Sequence, residues 1–359
     1  MSTPSGSVAL RVIQWATGGV GRAAIQAIVS HPELVLVGAY VHAPEKRGRD
    51  AGELAGVGPL GVAATGDVDA LLALEADCVV YAPVVADTDT VVRLLESGKN
   101  VVTPLNWFYP GRRDTRRLEA ACRAGGVTLH GTGIHPGGVT ERIPLVFSAF
   151  SRAITHVRAE EFSDLRSYGA PFVVGELMLF GKTPAEAARS PMLRILGGGF
   201  LQSIEMLGDA LGFALDPEPR TQHEIAVATR PIASPIGAIA PGRVAAQRFT
   251  WQGTVRGEPV VTVRTNWFMG EEHLEPAWSF GAEGERFEVE IAGDPPAKVV
   301  IHGWQPETVA AGLARNPGIV ATANHCVSAI PYVCAAAPGL RSYLDLPLAT
   351  GRAAPQLSR

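Results

Sequence analysis

Hydrophobic and polar positions fall into two kinds of block along the first third of the chain. Short apolar runs at 8–15, 34–41, 77–83, 101–103 and 127–131 have the length and β-branched content of buried strands. Between them, stretches at 23–29, 69–76, 88–97 and 113–124 space their apolar residues three or four apart, as amphipathic helices do. Regular succession of strand and helix predicts an α/β fold, a doubly wound parallel sheet covered by helices on both faces.

The texture changes after Gly131. A turn-rich loop at 132–138 leads into a helical run at 139–150, and strands then dominate, at 157–162, 224–229, 245–254, 259–268 and 286–301. Polar and apolar residues alternate at 261–267 and 287–291, the period of half-buried antiparallel strands. Helical stretches at 172–179, 184–188 and 195–211 interrupt them, and a final helix at 308–334 is expected to return to the first lobe. The expected division is a dinucleotide-binding domain over 1–135 and 310–359, and a second, α+β domain over 136–309 with a largely antiparallel sheet.

Chemistry enters at the first strand-to-helix junction. Ala16-Thr17-Gly18-Gly19-Val20-Gly21 stands where dinucleotide-binding domains aim backbone N–H groups at a pyrophosphate. Gly18 and Gly21 keep two glycines of G-x-G-x-x-G, while Ala16 replaces the first, which a tight turn permits if its φ is negative. These six residues are the expected phosphate contacts of a nicotinamide or flavin dinucleotide; the alternative is an ordinary turn. No carboxylate ends the second strand to take an NAD ribose, and His42, Lys46, Arg47 and Arg49 cluster just beyond it. NADP(H) is therefore the expected cofactor and NAD(H) the second choice. Glu45 and Asp50 dilute that charge, so a solvated loop is the competing reading. Ala82, Pro83 and Val84, ending the 77–83 strand, are expected to line the cofactor groove.

At 359 residues and a net charge of −4, the chain has room for two lobes and no basic stripe for nucleic acid. No apolar run reaches the ~18–20 residues that span a bilayer, and residues 1–7 lack the charged and apolar regions of a secretory signal. A cytoplasmic protein without membrane partners is expected. Cys78, Cys122, Cys326 and Cys334 are scattered, with no Cys-x-x-Cys pair, and read as buried hydrophobes with no metal site.

Four segments carry a resemblance: Trp15-Ala-Thr-Gly-Gly-Val-Gly21, Gly131-Thr-Gly-Ile-His-Pro-Gly137, Ala159-Glu-Glu-Phe-Ser-Asp164 and Asn324-His-Cys-Val-Ser-Ala-Ile-Pro331. Together they resemble the dihydrodipicolinate-reductase-like superfamily, and within it the 2,4-diaminopentanoate dehydrogenase and native amine dehydrogenase branch. The resemblance implies a Rossmann lobe, a substrate lobe whose sheet builds a homodimer, and a cleft between them. It also implies interconversion of an imine, or a ketone plus ammonia, with an amine, using NAD(P)H. One position departs from the pattern. Where the amine dehydrogenases carry a glutamate before an aromatic-proline pair, this chain has Asn106, followed by Trp107, Tyr109 and Pro110. An amide orients by hydrogen bonds but is no general base.

The expected catalytic residues are Asn106 and His135, the latter on the loop that would face a nicotinamide and able to exchange a proton near neutral pH. A His bonded to its own loop is the competing reading. Gly133 joins the cofactor contacts. Trp107, Tyr168, Asp164 and His325 are the expected substrate contacts, around a small molecule with an apolar body. Glu141 is expected to complement the N-terminus of its helix. Glu160, Glu161 and Asp164 form an acidic run in which alternation sends Glu161 to the face opposite Glu160; a solvated strand edge is its expected setting, and a carboxylate binding the cation of an amine substrate is the alternative. The functional expectation is hydride transfer at a C–N bond. The alternatives are reduction of a carbonyl or cyclic unsaturated substrate on the same scaffold, or a non-catalytic cofactor-binding protein.

Overall fold

The apolar runs do become strands, and their order explains where a ligand can approach. The computed structural model describes residues 9–357; Val8, first residue of the predicted first strand, and the 1–7 segment lie outside them. Two compact units arise, one of residues 1–133 with 319–359 and one of residues 134–318.

The first unit alternates β1 (Leu10–Trp15), α1 (Gly19–Ser30), β2 (Leu34–Tyr40), α2 (Ala51–Ala55), β3 (Ala64–Thr65), α3 (Val68–Ala73), β4 (Cys78–Tyr81), α4 (Thr88–Glu96), β5 (Asn100–Thr103), α5 (Arg116–Gly125) and β6 (Thr128–Gly131). All pairings are parallel and the strands lie in the order β3-β2-β1-β4-β5-β6, the Rossmann order. The short α2 and β3 escaped the pattern, because neither is long enough to show a period. Asp87 caps α4 through the N–H groups of Asp89 and Thr90. On that face Val91, Leu94 and Leu95 pack with Leu118, Ala121 and Cys122 of α5.

The second unit opens with a π-helical turn over Gly138–Arg142 that runs into α6 (Ile143–Ser148). Then come β7 (Arg152–Asp164), α7 (Pro184–Ala188), α8 (Met192–Leu211), β8 (Arg220–Ala228), β9 (Ile232–Ser234), β10 (Gly237–Ile239), β11 (Val244–Val255), β12 (Glu258–Phe268), β13 (Leu274–Glu275), β14 (Arg286–Asp294), β15 (Ala297–Ile301) and α9 (Val309–Ala314). Seven strands form one sheet in the order β13-β8-β11-β12-β7-β14-β15, antiparallel except between β12 and β7. One face packs on α8 through Phe200, Ile204, Phe249, Trp251 and Val263.

Three expectations need correction. The 286–301 run is a hairpin rather than one strand, turning between Asp294 and Ala297. The 308–334 run is two helices, α9 and α10 (Pro317–Cys334), because proline has no N–H to continue a helix and opens the second one. The acidic run lies on a strand paired on both sides, not on an edge, and Glu160 and Asp164 are buried.

The chain crosses between units at 133/134 and 318/319, where the sequence suggested 135/136 and 309/310. α9 stays in the second unit because Gly312 sits against Ser167 and Pro306. Nearly all of α10 belongs to the first, where Ala323, Cys326, Val327, Ile330 and Val333 pack with Ala24, Ile25 and Ile28 of α1. β16 (Gly339–Leu340) then adds to β6 in parallel. This return also makes Cys334 a neighbour of Cys78, 256 positions away, so these two cysteines are not scattered; burial and that neighbour push the Cys78 thiol well up.

Candidate active site

β1 delivers the glycine turn to the carboxyl edge of the parallel sheet. Gly18 precedes α1 with no side-chain cap, and the first turn of α1 holds no acidic residue. The N–H groups and positive dipole end of α1 are thus left to an anion. A Cβ on Gly18 would meet nothing within 4 Å, so the backbone there is open to close approach, whereas a Cβ on Gly21 would lie 2.0 Å from the Ala16 carbonyl oxygen. Those are the demands a pyrophosphate makes of the second and third fingerprint glycines. Ala16 itself does not keep a negative φ. It sits at +76°, the left-handed conformation that the first glycine would adopt freely.

The basic cluster reaches this turn. Pro44–Lys46 form a short 3-10 turn beyond β2, and the Lys46 ammonium donates to the Thr17 carbonyl at 3.3 Å. Arg47 folds over Gly66, where a Cβ would come 2.5 Å from its Nε. His42 and Arg49 are exposed. Asp50 does not oppose these cations as a loose carboxylate. It accepts hydrogen bonds from the N–H groups of Gly52, Glu53, Leu60, Gly61 and Val62, which hold its carboxyl below the usual carboxylate range. Beyond β4, Ala82 and Pro83 are half-buried and Val84 is 65% exposed.

At the end of β5 the Asn106–Trp107 backbone crosses β6. A Cβ on Gly131 would lie 2.4 Å from the Asn106 carbonyl oxygen and 2.6 Å from the Trp107 carbonyl carbon, so glycine is required for this crossing. Trp107 has a φ of +59° and is a member of the apolar core with Trp15, Tyr81 and Leu129; the expectation that it walls a pocket meets this burial. Past Gly131, the Thr132 hydroxyl meets the Tyr343 hydroxyl, and His325 Nδ1 lies 2.6 Å from the Gly133 carbonyl. His325 therefore grips the start of the loop, with Tyr343 stacked beside it at 5.9 Å. Tyr343 carried no sequence signal, being 211 positions from Thr132.

The second unit holds its own cluster. His135 Nδ1 lies 2.8 Å from Glu161 Oε2, and the Ser163 hydroxyl donates to Glu161 Oε1 at 2.8 Å. The His135 side chain is 2% exposed, ringed by Phe200 at 4.8 Å and Phe287 at 5.7 Å, and its Nε2 has no partner among the described residues. Burial, and secondarily the charge of Glu161, push the Tyr168 hydroxyl up. Asp164 is differently employed. It ion-pairs with Arg166 and caps the turn over Leu165–Ser167. Glu285 accepts from the Asp164 N–H and is pushed up to about 7 by burial.

Glu141 does not serve as a helix cap. Its carboxyl is wholly buried, Oε1 accepts from the Ser203 hydroxyl at 2.5 Å, and Oε2 has no partner. Burial pushes it up to about 8. The first turn is π-helical, which carries the side chain inward toward α8 rather than back over the turn's N–H groups.

A Rossmann-ordered sheet with an uncapped, glycine-opened first helix, joined to an α+β unit bearing a buried histidine, defines a class, the nicotinamide-dependent oxidoreductases. Within it, the chain belongs to the 2,4-diaminopentanoate dehydrogenase family, whose C-terminal domain pattern it matches over residues 139–355. Residues 12–103 match the N-terminal domain of dihydrodipicolinate reductase. An amine dehydrogenase from Streptomyces virginiae is 34% identical over 94% of this chain and 96% of that protein. The 2,4-diaminopentanoate dehydrogenase of Acetoanaerobium sticklandii is 25% identical over 72% of this chain and 70% of that protein. The amine dehydrogenase structure from Mycobacterium smegmatis superposes with a TM-score of 0.74 at 23% identity, covering 96% of this chain and 97% of that one, a likeness of fold.

Proposed function

We propose that this chain catalyses NAD(P)H-dependent reduction of an imine to an amine, and the reverse oxidation. It is an NAD(P)-dependent oxidoreductase of the amine dehydrogenase type, acting at a C–N bond. The observation that carries the acid–base chemistry is His135 Nε2, buried among aromatic rings with no partner of its own.

The cofactor is held by the turn from Ala16 to Gly21, with Ala82, Pro83, Val84 and Gly133 at the adjoining strand ends. A bound nicotinamide supplies a hydride to the imine carbon, and one proton must reach the imine nitrogen for the reduction to balance. His135 gives that proton in reduction and takes it back in oxidation. The chain's remaining task is to orient the substrate and exclude water. Tyr168 and His325 are assigned as contacts of a body that is mainly apolar, and Asn106 as the residue that orients the nitrogen by hydrogen bonds. Because Asn106 has no charge to pair with ammonium, a ready-made imine is the better substrate than a ketone with free ammonia.

NADP(H) is the preferred cofactor. Lys46 lies against the glycine turn, His42, Arg47 and Arg49 belong to the same segment after β2, and Asp50 is spent on backbone N–H groups. The chain works as a homodimer through the sheet face opposite α8. There Arg158, Glu160, Arg264, Arg286, Glu288 and Glu290 interlock across β12, β7 and β14, with Glu160, Arg286 and Glu288 buried and Glu290 exposed. The cytoplasm is its setting, in keeping with four unpaired cysteines.

The test is consumption of NADPH against ketones alone, ketones with ammonium, and preformed cyclic imines. Turnover with imines is expected. Turnover with carbonyls alone, and none with imines, would make the chain a carbonyl reductase.

A further inference from the structure

Glu161 and His135 come from different elements, one from β7 and one from the loop after β6. Strand alternation turns Glu161 to the same face as Ser163 and away from Glu160, and this is the face that packs on α8. His135 reaches that face from the loop, and Phe287, paired with Glu161 across β7 and β14, closes one side of its ring. Phe200 of α8 also lies against it, 4.8 Å between ring centroids. The ring therefore has one anchored nitrogen and is almost wholly buried.

Hydrogen-bond inventory fixes what that anchoring does. A carboxylate, when ionised, only accepts, and the contact at 2.8 Å is then made by a proton on Nδ1. The Ser163 hydroxyl occupies Oε1, leaving Oε2 to the histidine. A neutral ring with its proton on Nδ1 has its lone pair on Nε2, the atom that is buried and unpartnered.

We infer that Glu161, steadied by Ser163, is the positioning residue that holds His135 as the Nδ1–H tautomer and presents Nε2 as the atom that takes and returns the substrate proton. No covalent change is involved. One proton moves between Nε2 and the substrate nitrogen, while the Nδ1 proton stays on the ring and the Glu161 carboxylate stabilises the imidazolium when both nitrogens are protonated. This rests on the reading of His135 as the proton donor, and goes beyond it by naming the nitrogen and the residue that selects it.

The experiment has two independent readouts on the full chain. Long-range ¹H–¹⁵N spectra of histidine-labelled protein, with the His135 signals assigned by their loss in His135→Gln, report the tautomer without any turnover. The wild type should show Nδ1 protonated, Glu161→Ala should show a mixture or the Nε2–H form, and Ser163→Ala should fall between. Thermal unfolding checks that each variant is folded. Kinetics then form a cycle: Glu161→Ala should lower kcat by at least about tenfold with KM within about threefold, and should cost under about twofold more when added to His135→Ala. A wild-type ring protonated on Nε2, or full additivity of the two losses, overturns the proposal. Should His135→Ala turn over at the wild-type rate while the tautomer still depends on Glu161, the hold of Glu161 on the ring stands and the proton-donor reading falls.

Discussion

The carbonyl oxygen of Ala16 stands 2.0 Å from the point where a side chain on Gly21 would begin. The same Cβ would lie 3.1 Å from Nε2 of Gln14, which itself donates to the Trp15 and Ala16 carbonyls. Strand, turn and helix are locked at van der Waals limits, and the lock aims α1. Gly21→Ala should therefore destabilise the protein by about 1–3 kcal/mol, as overpacking does, and weaken nucleotide binding by more than tenfold. Denaturant unfolding and dinucleotide titration check both; unchanged affinity would detach the turn from cofactor binding.

Ala16 adopts a φ of +76°, a conformation that costs an L-residue about 1–2 kcal/mol. Ala16→Gly removes that strain and loses about 0.4–1 kcal/mol to the freer unfolded chain. The expected balance is a stabilisation of roughly 0.5–1 kcal/mol, with nucleotide affinity held or improved. A lower Tm in the variant would contradict the left-handed turn.

The Glu141 carboxyl, with one donor and a bare oxygen, is raised from its ordinary range to about 8 by burial. A folded-state value above the unfolded one means the native protein holds this proton more tightly. Its contribution to stability is full below about pH 4.5 and is lost as pH rises to about 8, at up to about 1.4 kcal/mol per pH unit. Glu141→Gln, neutral at every pH, should flatten the fall in Tm between pH 5 and 8 and be the more stable form at pH 8. An unchanged pH profile would place the proton elsewhere.

Lys46 donates to the Thr17 carbonyl in the glycine turn, and Arg47 beside it folds over Gly66. Replacing both by Ala should lower kcat/KM for NADPH by about tenfold or more, roughly the 1.4 kcal/mol of one lost charge contact, while NADH changes by less than about twofold. Equal losses with both cofactors would mean that the pair does not read the 2′-phosphate.

Much of the architecture was legible because burial on both faces of a parallel sheet leaves continuous apolar strands, and helices between them keep a clear period. The glycine turn and its basic neighbours were legible for a related reason, since they are local in sequence. What the chain concealed is non-local. Glu161 and Glu160 are adjacent carboxylates, and only the pairing of β7 on both sides shows that one is bound to His135 and the other to Arg158 and Asn266. Glu141 read as a cap because position alone decides capping, whereas a π-helical turn buries it against Ser203. Tyr343 and His325 reach Thr132 and Gly133 only through the returning C-terminal segment. Asn106 was singled out by type, but the reason for its placement, the bare backbone of Gly131 beneath it, needs the sheet.

Oxidation in the presence of NADP⁺ tests C–N chemistry most directly, using a small apolar secondary amine-bearing carbon and the alcohol of the same skeleton as a matched pair. The initial rate of NADPH formation is followed by absorbance for each. Oxidation of the amine, with the alcohol inert at the same concentration, is the result this account predicts. Oxidation of the alcohol with the amine inert would contradict it.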